Sequence, residues 1–218
     1  MKKTLFLILA TTVAATVMGL SACEKDGVLP TVEKQNQPGQ MPPSGNYFPL
    51  VDGYRWAYAN ATGGADTTKI TGDYLYNNIT YKFFVSPSGV AYHRADGSSY
   101  YSLEALPVTS ADINGLVDHV FLRTDLGVDK SWTETFDLLA GGKLRIEGTL
   151  QTIETTRSIK GIKYNNVLKV RTRAYQSTAA NQNTFTLTTT FYDYYAQNIG
   201  LVESIDAAGG NKRILKFN

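Results

Sequence analysis

The sequence predicts an all-β fold: antiparallel strands forming a sandwich, an open barrel or a strongly curved sheet, with little helix. Short segments alternate apolar and polar residues with a period of two, the spacing of a half-buried strand. Clusters of Gly, Asn, Asp and Pro interrupt them at short intervals, as turns do. Tyr 14 and Phe 9 are high for 218 residues, and aromatic rings favour the pleated surface.

Residues 1–22 come first and are not part of that domain. Lys2 and Lys3 precede an apolar run, Leu5 to Leu20, which ends in the small residues Ser21 and Ala22. That is the three-part build of a secretory signal. Polar Glu24-Lys25-Asp26 follows at once, which argues against a retained membrane span. The tetrapeptide Leu20-Ser21-Ala22-Cys23 resembles the lipobox of bacterial lipoproteins. The resemblance implies cleavage before Cys23 and acylation of Cys23 and its new amine, enough chains for stable anchoring to a membrane. The mixed acidic patch Glu24-Lys25-Asp26-Gly27 is similar to surface-export signals of the Bacteroidetes group, and position two lacks an inner-membrane retention Asp. The expected location is the outer membrane, with the periplasmic and cell-surface faces both open.

Removing residues 1–22 leaves 196 residues, enough for one sizeable core. Of Lys+Arg 21 and Asp+Glu 19, two lysines leave with the signal, so the remainder is balanced. Balance, and the lack of a dense basic run, argue against a nucleic-acid partner. Cys23 is the only cysteine, so once acylated it leaves no disulfide, thiol nucleophile or thiolate metal ligand. Residues 23–46, with Pro30, Pro38, Pro42 and Pro43 among Gln, Asn, Gly and Ser, show no hydrophobic period and read as the lipidated Cys and a flexible tether.

The β-rich domain is expected over 47–218. Val51 to Tyr58 gives a turn at Asp52-Gly53 and a strand in which Trp56 and Tyr58 share a side. With Tyr47-Phe48-Pro49-Leu50 in front, this opening resembles one seen in secreted and lipid-anchored bacterial all-β proteins of unassigned function. Strands are expected around Ile70–Tyr76, Tyr81–Val85, Val90–Arg94 and Ser99–Leu103, with turns at Asn77-Asn78, Pro87-Ser88-Gly89 and Asp96-Gly97. Short connections make a meander the simplest topology. Residues 107–120 show partial helical spacing at Ile113, Leu116, Val117 and Val120, yet Asp112-Ile113-Asn114-Gly115 reads better as a turn before a strand Asp118–Arg123. Asp112, Asn114 and Asp118 lack the full calcium-loop pattern, so no metal is assigned.

Leu126 to Trp132 mirrors Leu50 to Trp56, a leucine six residues before a tryptophan with Gly and Asp between. This hints at an internal repeat and two half-domains, about 47–121 and 122–218. Strands follow at Thr133–Phe136 and Leu144–Leu150, with a bulge near Thr152 and strand again through Arg157. After Lys160-Gly161, Leu168, Val170, Thr172 and Ala174 face one way and Lys169, Arg171, Arg173 and Tyr175 the other. That basic face can meet an anion, or pair with Glu147 and Glu154 across strands. Phe185 to Tyr195 alternates again, with Phe185, Leu187, Thr189, Phe191, Asp193 and Tyr195 on one face and Thr186, Thr188, Thr190, Tyr192 and Tyr194 on the other. A second resemblance to the same secreted proteins lies in Tyr194-Tyr195-Ala196 followed by Gly200-Leu201-Val202, which pass between strands. Val202–Ile205 and Arg213–Phe217 complete the chain.

Function is less legible. His93 and His119 are the only histidines and sit in no metal-ligand pattern, and no Gly-x-Ser-x-Gly elbow or phosphate loop occurs. No catalytic, cofactor or metal residue is assigned, and the expectation is a non-enzymatic envelope lipoprotein. Its abundant aromatics, Tyr74, Tyr76, Tyr100, Tyr101, Tyr192 and Tyr194 among them, point to a binding module for a glycan, peptide or partner protein. Tyr192 and Tyr194 are the candidate ligand contacts, with Tyr194 equally readable as a cap on the core. A carrier cup for a hydrophobic ligand, a structural envelope protein, and a hydrolase using a carboxylate pair such as Glu134 and Asp137 are the alternatives.

Overall fold

The computed structural model describes residues 37–59, 64–106, 116–206 and 211–217. Cys23 and its lipobox lie outside them, as do Asp112 and Asn114. Twelve strands form among the described residues: β1 Arg55–Ala59, β2 Ala65–Tyr76, β3 Ile79–Ser86, β4 Gly89–Asp96, β5 Ser99–Ala105, β6 Leu116–Arg123, β7 Ser131–Asp137, β8 Lys143–Ile159, β9 Ile162–Gln176, β10 Thr186–Ala196, β11 Gly200–Asp206 and β12 Asn211–Phe217. All pair antiparallel in one sheet of order β6-β5-β4-β3-β2-β1-β12-β11-β10-β9-β8-β7. The fold is therefore all-β, a strongly curved sheet, as the alternation predicts.

Each neighbour in the sheet is also a neighbour in sequence, except where β1 meets β12. Two meanders of six strands, β1–β6 and β7–β12, are zipped at that junction. Tight reversals fall where the turn residues predict them. Asn77 and Asn78 both hold positive φ (49° and 63°), as do Lys160 and Gly161 (48° and 80°), the two-residue reversal that matches strand twist. A bulge separates Leu150 from Thr152, where the alternation slips.

The two tryptophan segments fold alike. Gly53 and Asp129, each three residues before its Trp, have positive φ (86° and 64°). Gly53 N–H donates to the Ile70 carbonyl, and Ile70 N–H to that of Tyr54. Asp129 N–H donates to the Leu150 carbonyl, and Leu150 N–H to that of Lys130. Glycine in one copy and aspartate in the other serve the same left-handed position.

Curvature brings the inner faces of the two meanders together. At the centre is Phe48, ahead of β1. Its ring meets Phe121 at 5.0 Å, His93 at 5.2 Å, Phe84 at 5.8 Å, and Tyr100 and Tyr195 at 6.3 Å, from strands β3 to β6 and β10. Tyr47 beside it is fully buried. The preceding residues are laid on the domain. Gly39 N–H donates to the Val128 carbonyl at 2.8 Å, and Val128 N–H to that of Gln40 at 2.9 Å. Asn198 N–H donates to the Asn46 carbonyl, and Gln197 Nε2 to that of Ser44. Residues Gly39 to Asn46, read from the sequence as tether, are thus held in place through backbone groups, which leave no apolar period to notice.

Candidate functional site

The two edge strands, β6 and β7, form a seam. They share no backbone ladder, and an edge strand carries a row of unpaired amides and carbonyls. Here β7 side chains substitute for a neighbour. Glu134 Oε2 accepts from Val120 N–H at 2.8 Å, and Trp132 Nε1–H donates to the Val120 carbonyl at 3.2 Å. Burial pushes the Glu134 carboxyl up, partly offset by the Val120 amide and His119. The Trp132 ring lies over Gly148 of β8, opposite it in register. The carboxylate pair considered from the sequence does not form: Glu134 turns to the seam, while Asp137, on the other face of β7, pairs with Lys143 at 3.2 Å.

Behind the seam, opposed residues make a polar row across the inner face: Lys82, His93, Ser102 and His119, one from each of β3 to β6. Burial among Phe48, Phe84 and Phe121 lowers His93 to about 4, so it is neutral at pH 7. Burial also works against a charged His119, but Glu104, with Glu134 and Asp118, holds it above its ordinary value. The nearby His119, its Nε2 3.5 Å from Oε2, takes the Glu104 carboxyl down to about 2 despite partial burial. Ser102 Oγ donates to Glu104 rather than to a histidine.

Beside the seam lies a cleft of about 490 Å³. Tyr76, Tyr81 and Leu103 form its buried floor; Ile79, Leu116 and Phe136 are among its walls. Its size falls in the range of small-ligand sites. Two of its residues carry buried oxygens that make no hydrogen bond of good geometry, Tyr76 Oη and Asp118 Oδ1. The other oxygen of Asp118 is held by Arg94, whose guanidinium stacks on Tyr101 at 3.6 Å. A smaller cavity, about 270 Å³, lies beside Phe48, Trp56 and Phe84.

Tyr192 and Tyr194 lie elsewhere, on the outer face of β10. Opposed pairs place them beside Arg171 and Lys169 of β9. Tyr192 is half-buried, with Lys169 Nζ 5.0 Å from its ring centre. Tyr194 is 5% exposed and capped by the Arg157 guanidinium at 3.5 Å, which Glu154 and Glu203 hold. Its ring face is taken, so it serves as a support. The basic face divides as well: Arg173 pairs with Glu147, whereas Glu154 pairs with Arg157 instead of a β9 cation. A bulge between Leu187 and Thr189 corrects the phase expected for β10. Leu187 opposes Tyr175 on the outer face, while Thr189 opposes Ala174 on the inner one. In a run of threonines the sequence carries no mark of that slip.

Tyr76 and Tyr81 are legible as aromatic, but not as lining one cleft with Phe136, which comes from the other meander. Compared with known proteins, the chain matches no family model and no curated protein. Among solved structures it is similar to a candidate lipoprotein of Parabacteroides distasonis ATCC 8503, with 9% identity over 81% of this chain and 100% of that one, at a TM-score of 0.47. It is similar also to a candidate exported protein with a YmcC-like fold from Bacteroides fragilis NCTC 9343, with 13% identity over 80% of this chain and 100% of that one, at a TM-score of 0.47. At that distance the likeness carries no argument about ligand, anchoring or location.

Proposed function

We propose that this chain is a non-enzymatic lipoprotein of the outer membrane whose domain binds a neutral glycan in the cleft at the β6–β7 seam. The observation that carries the reading is the pair of buried oxygens that make no well-formed hydrogen bond, Tyr76 Oη and, beside Tyr81, Asp118 Oδ1, among residues lining an aromatic cleft. A buried polar atom without a partner costs about 1–3 kcal/mol, and a ligand that supplies the partner recovers it. Sugar hydroxyls can do so, while the apolar face of a sugar ring packs on Phe136 and Ile79. A hydrophobic ligand leaves both oxygens unpaired, and the inner face is filled by Phe48 and the rings around it, which disfavours a carrier cup. Neutral rather than charged ligand follows from Asp118: its carboxylate is already matched by Arg94.

Titration of the full chain with β-linked glucan and mannan hexasaccharides, followed by calorimetry, tests this. Binding is expected for at least one, and Phe136→Ala should weaken it about tenfold or more, ~1.4 kcal/mol per decade. No binding by either sugar, or equal affinity in the variant, defeats the glycan reading. Anchoring rests on Cys23 in its lipobox. Cells grown with labelled palmitate should label the protein and not Cys23→Ala; equal label in both removes the anchor.

A further inference from the structure

The outer face of β8, β9 and β10 carries a second feature, independent of the cleft. Opposed residues form rows across the three strands: Arg145–Tyr175–Leu187, Glu147–Arg173–Thr190 and Thr149–Arg171–Tyr192, with Lys169–Tyr194 following on β9 and β10. Four cations thus line these rows with Glu147, which Arg173 engages, while Glu203, opposite Tyr194, and Glu154 are both engaged by Arg157. Arg145, Lys169 and Arg171 have no ion-pair partner among the described residues. Like charges set about 7 Å apart along one strand repel one another, so such a strip is costly unless something neutralises it.

The cations are also held in place. The Arg145 guanidinium lies 4.4 Å from the ring centres of both Tyr175 and Phe185. Lys169 Nζ lies between Tyr192 and Tyr194, at 5.0 and 5.8 Å. Arg171 is steadied only by a long contact to Thr149 Oγ1, 3.5 Å, and the Nε atoms of Arg145 and Arg171 are buried without a partner. Rings under cations fix where the charges point without cancelling them. The rings cannot act as open stacking platforms while so occupied; the reading side is the row of positive tips.

We propose that this face is a binding strip for an acidic glycan, with Arg145, Lys169 and Arg171 holding its carboxylates. A narrow strip, Lys169, Arg171 and Arg173 along β9 with Arg145 of β8 beside Tyr175 at its end, matches a linear polyanion better than the plane of a membrane surface. A peptide would seek backbone partners at a sheet edge, but β9 is paired on both sides, so its face offers side chains alone. Those side chains include the hydroxyls of Tyr192 and Thr190, suited to a ligand that carries hydroxyls of its own.

The test uses the full chain bearing Cys23→Ala, to keep an acyl anchor from inserting into vesicles. Probes are a glucuronate tetramer, a neutral glucose tetramer and phosphatidylglycerol vesicles. The glucuronate tetramer should bind in about 50 mM salt and weaken steeply toward about 500 mM, where the screening length shrinks below the spacing of the charges. Lys169→Gln with Arg171→Gln should lower its affinity about tenfold or more per charge removed, the worth of a charge-assisted hydrogen bond. Any effect of the glucose tetramer should be insensitive to that pair of substitutions. The salt dependence of the unsubstituted strip stands as a check if the double variant folds poorly. The proposal is overturned by absence of glucuronate binding at low salt, by unchanged affinity in the variant, or by vesicle binding that alone depends on Lys169 and Arg171.

Discussion

Phe48→Ala should destabilise the domain by about 3–5 kcal/mol, the cost of emptying a large aromatic site in a core that cannot collapse. Its ring is 9% exposed and lies among Phe84, His93, Tyr100, Phe121 and Tyr195, which come from strands far apart in the sheet. Those strands are fixed by their own ladders, so they have little freedom to close the void. Part of the loss is specific to His93, which is kept neutral by burial against these rings; water admitted beside it would let it protonate more readily. Urea unfolding followed by tryptophan fluorescence reads the effect. A loss below about 1 kcal/mol would mean that residues 44–50 are bystanders rather than the centre of the core.

Gly148→Ala should be nearly as damaging, though it adds a single methyl group. A Cβ at residue 148 would fall inside the van der Waals envelope of Trp132 ring atoms Cε2 and Cζ2. The obstacle is a rigid indole rather than the end of a flexible chain, and the indole is bonded through Nε1 to the Val120 carbonyl. The ring must leave, and with it go its burial and the seam bond. We expect a loss of about 3–5 kcal/mol, close to that of Trp132→Ala, where simple overpacking would cost about 1–3. The two changes should therefore not add: Gly148→Ala introduced into Trp132→Ala should cost little more. A double-mutant cycle by chemical denaturation decides it, and additive losses would show that Gly148 matters for another reason.

What the sequence reveals is what alternation and turn chemistry encode locally. Asn77-Asn78 and Lys160-Gly161 announce reversals, and Leu168 to Tyr175 announces a strand with a basic face. The correspondence of Gly53 with Asp129 was obscured because different residue types meet one backbone requirement. Pairing of β1 with β12 has no local signature, since it joins the first strand to the last, and the seam has none because β6 and β7, though consecutive in the chain, meet through side chains rather than a backbone ladder. Both candidate sites follow from that non-local register. Tyr76 and Phe136 line one cleft only because the sheet curls, and Lys169 finds Tyr192 only because β9 and β10 pair at that offset. The aromatic candidates Tyr192 and Tyr194 were visible as a pair, but the guanidinium over Tyr194 was not, because Arg157 reaches it from β8.

The junction of β1 with β12 also governs when the sheet can form. Trp56 lies opposite Phe217, so a strand near the start of the domain waits for the strand made last. Hairpins such as β2–β3 and β8–β9 can close as soon as they are synthesised, over short loops that cost little entropy. The zip between the two meanders is the most distant pairing in the chain, and such pairings slow folding. Until it closes, each meander exposes two raw edges and an inner face meant for the other. A chain cut short before residue 211 would leave β1 without that partner, however well the preceding eleven strands were made.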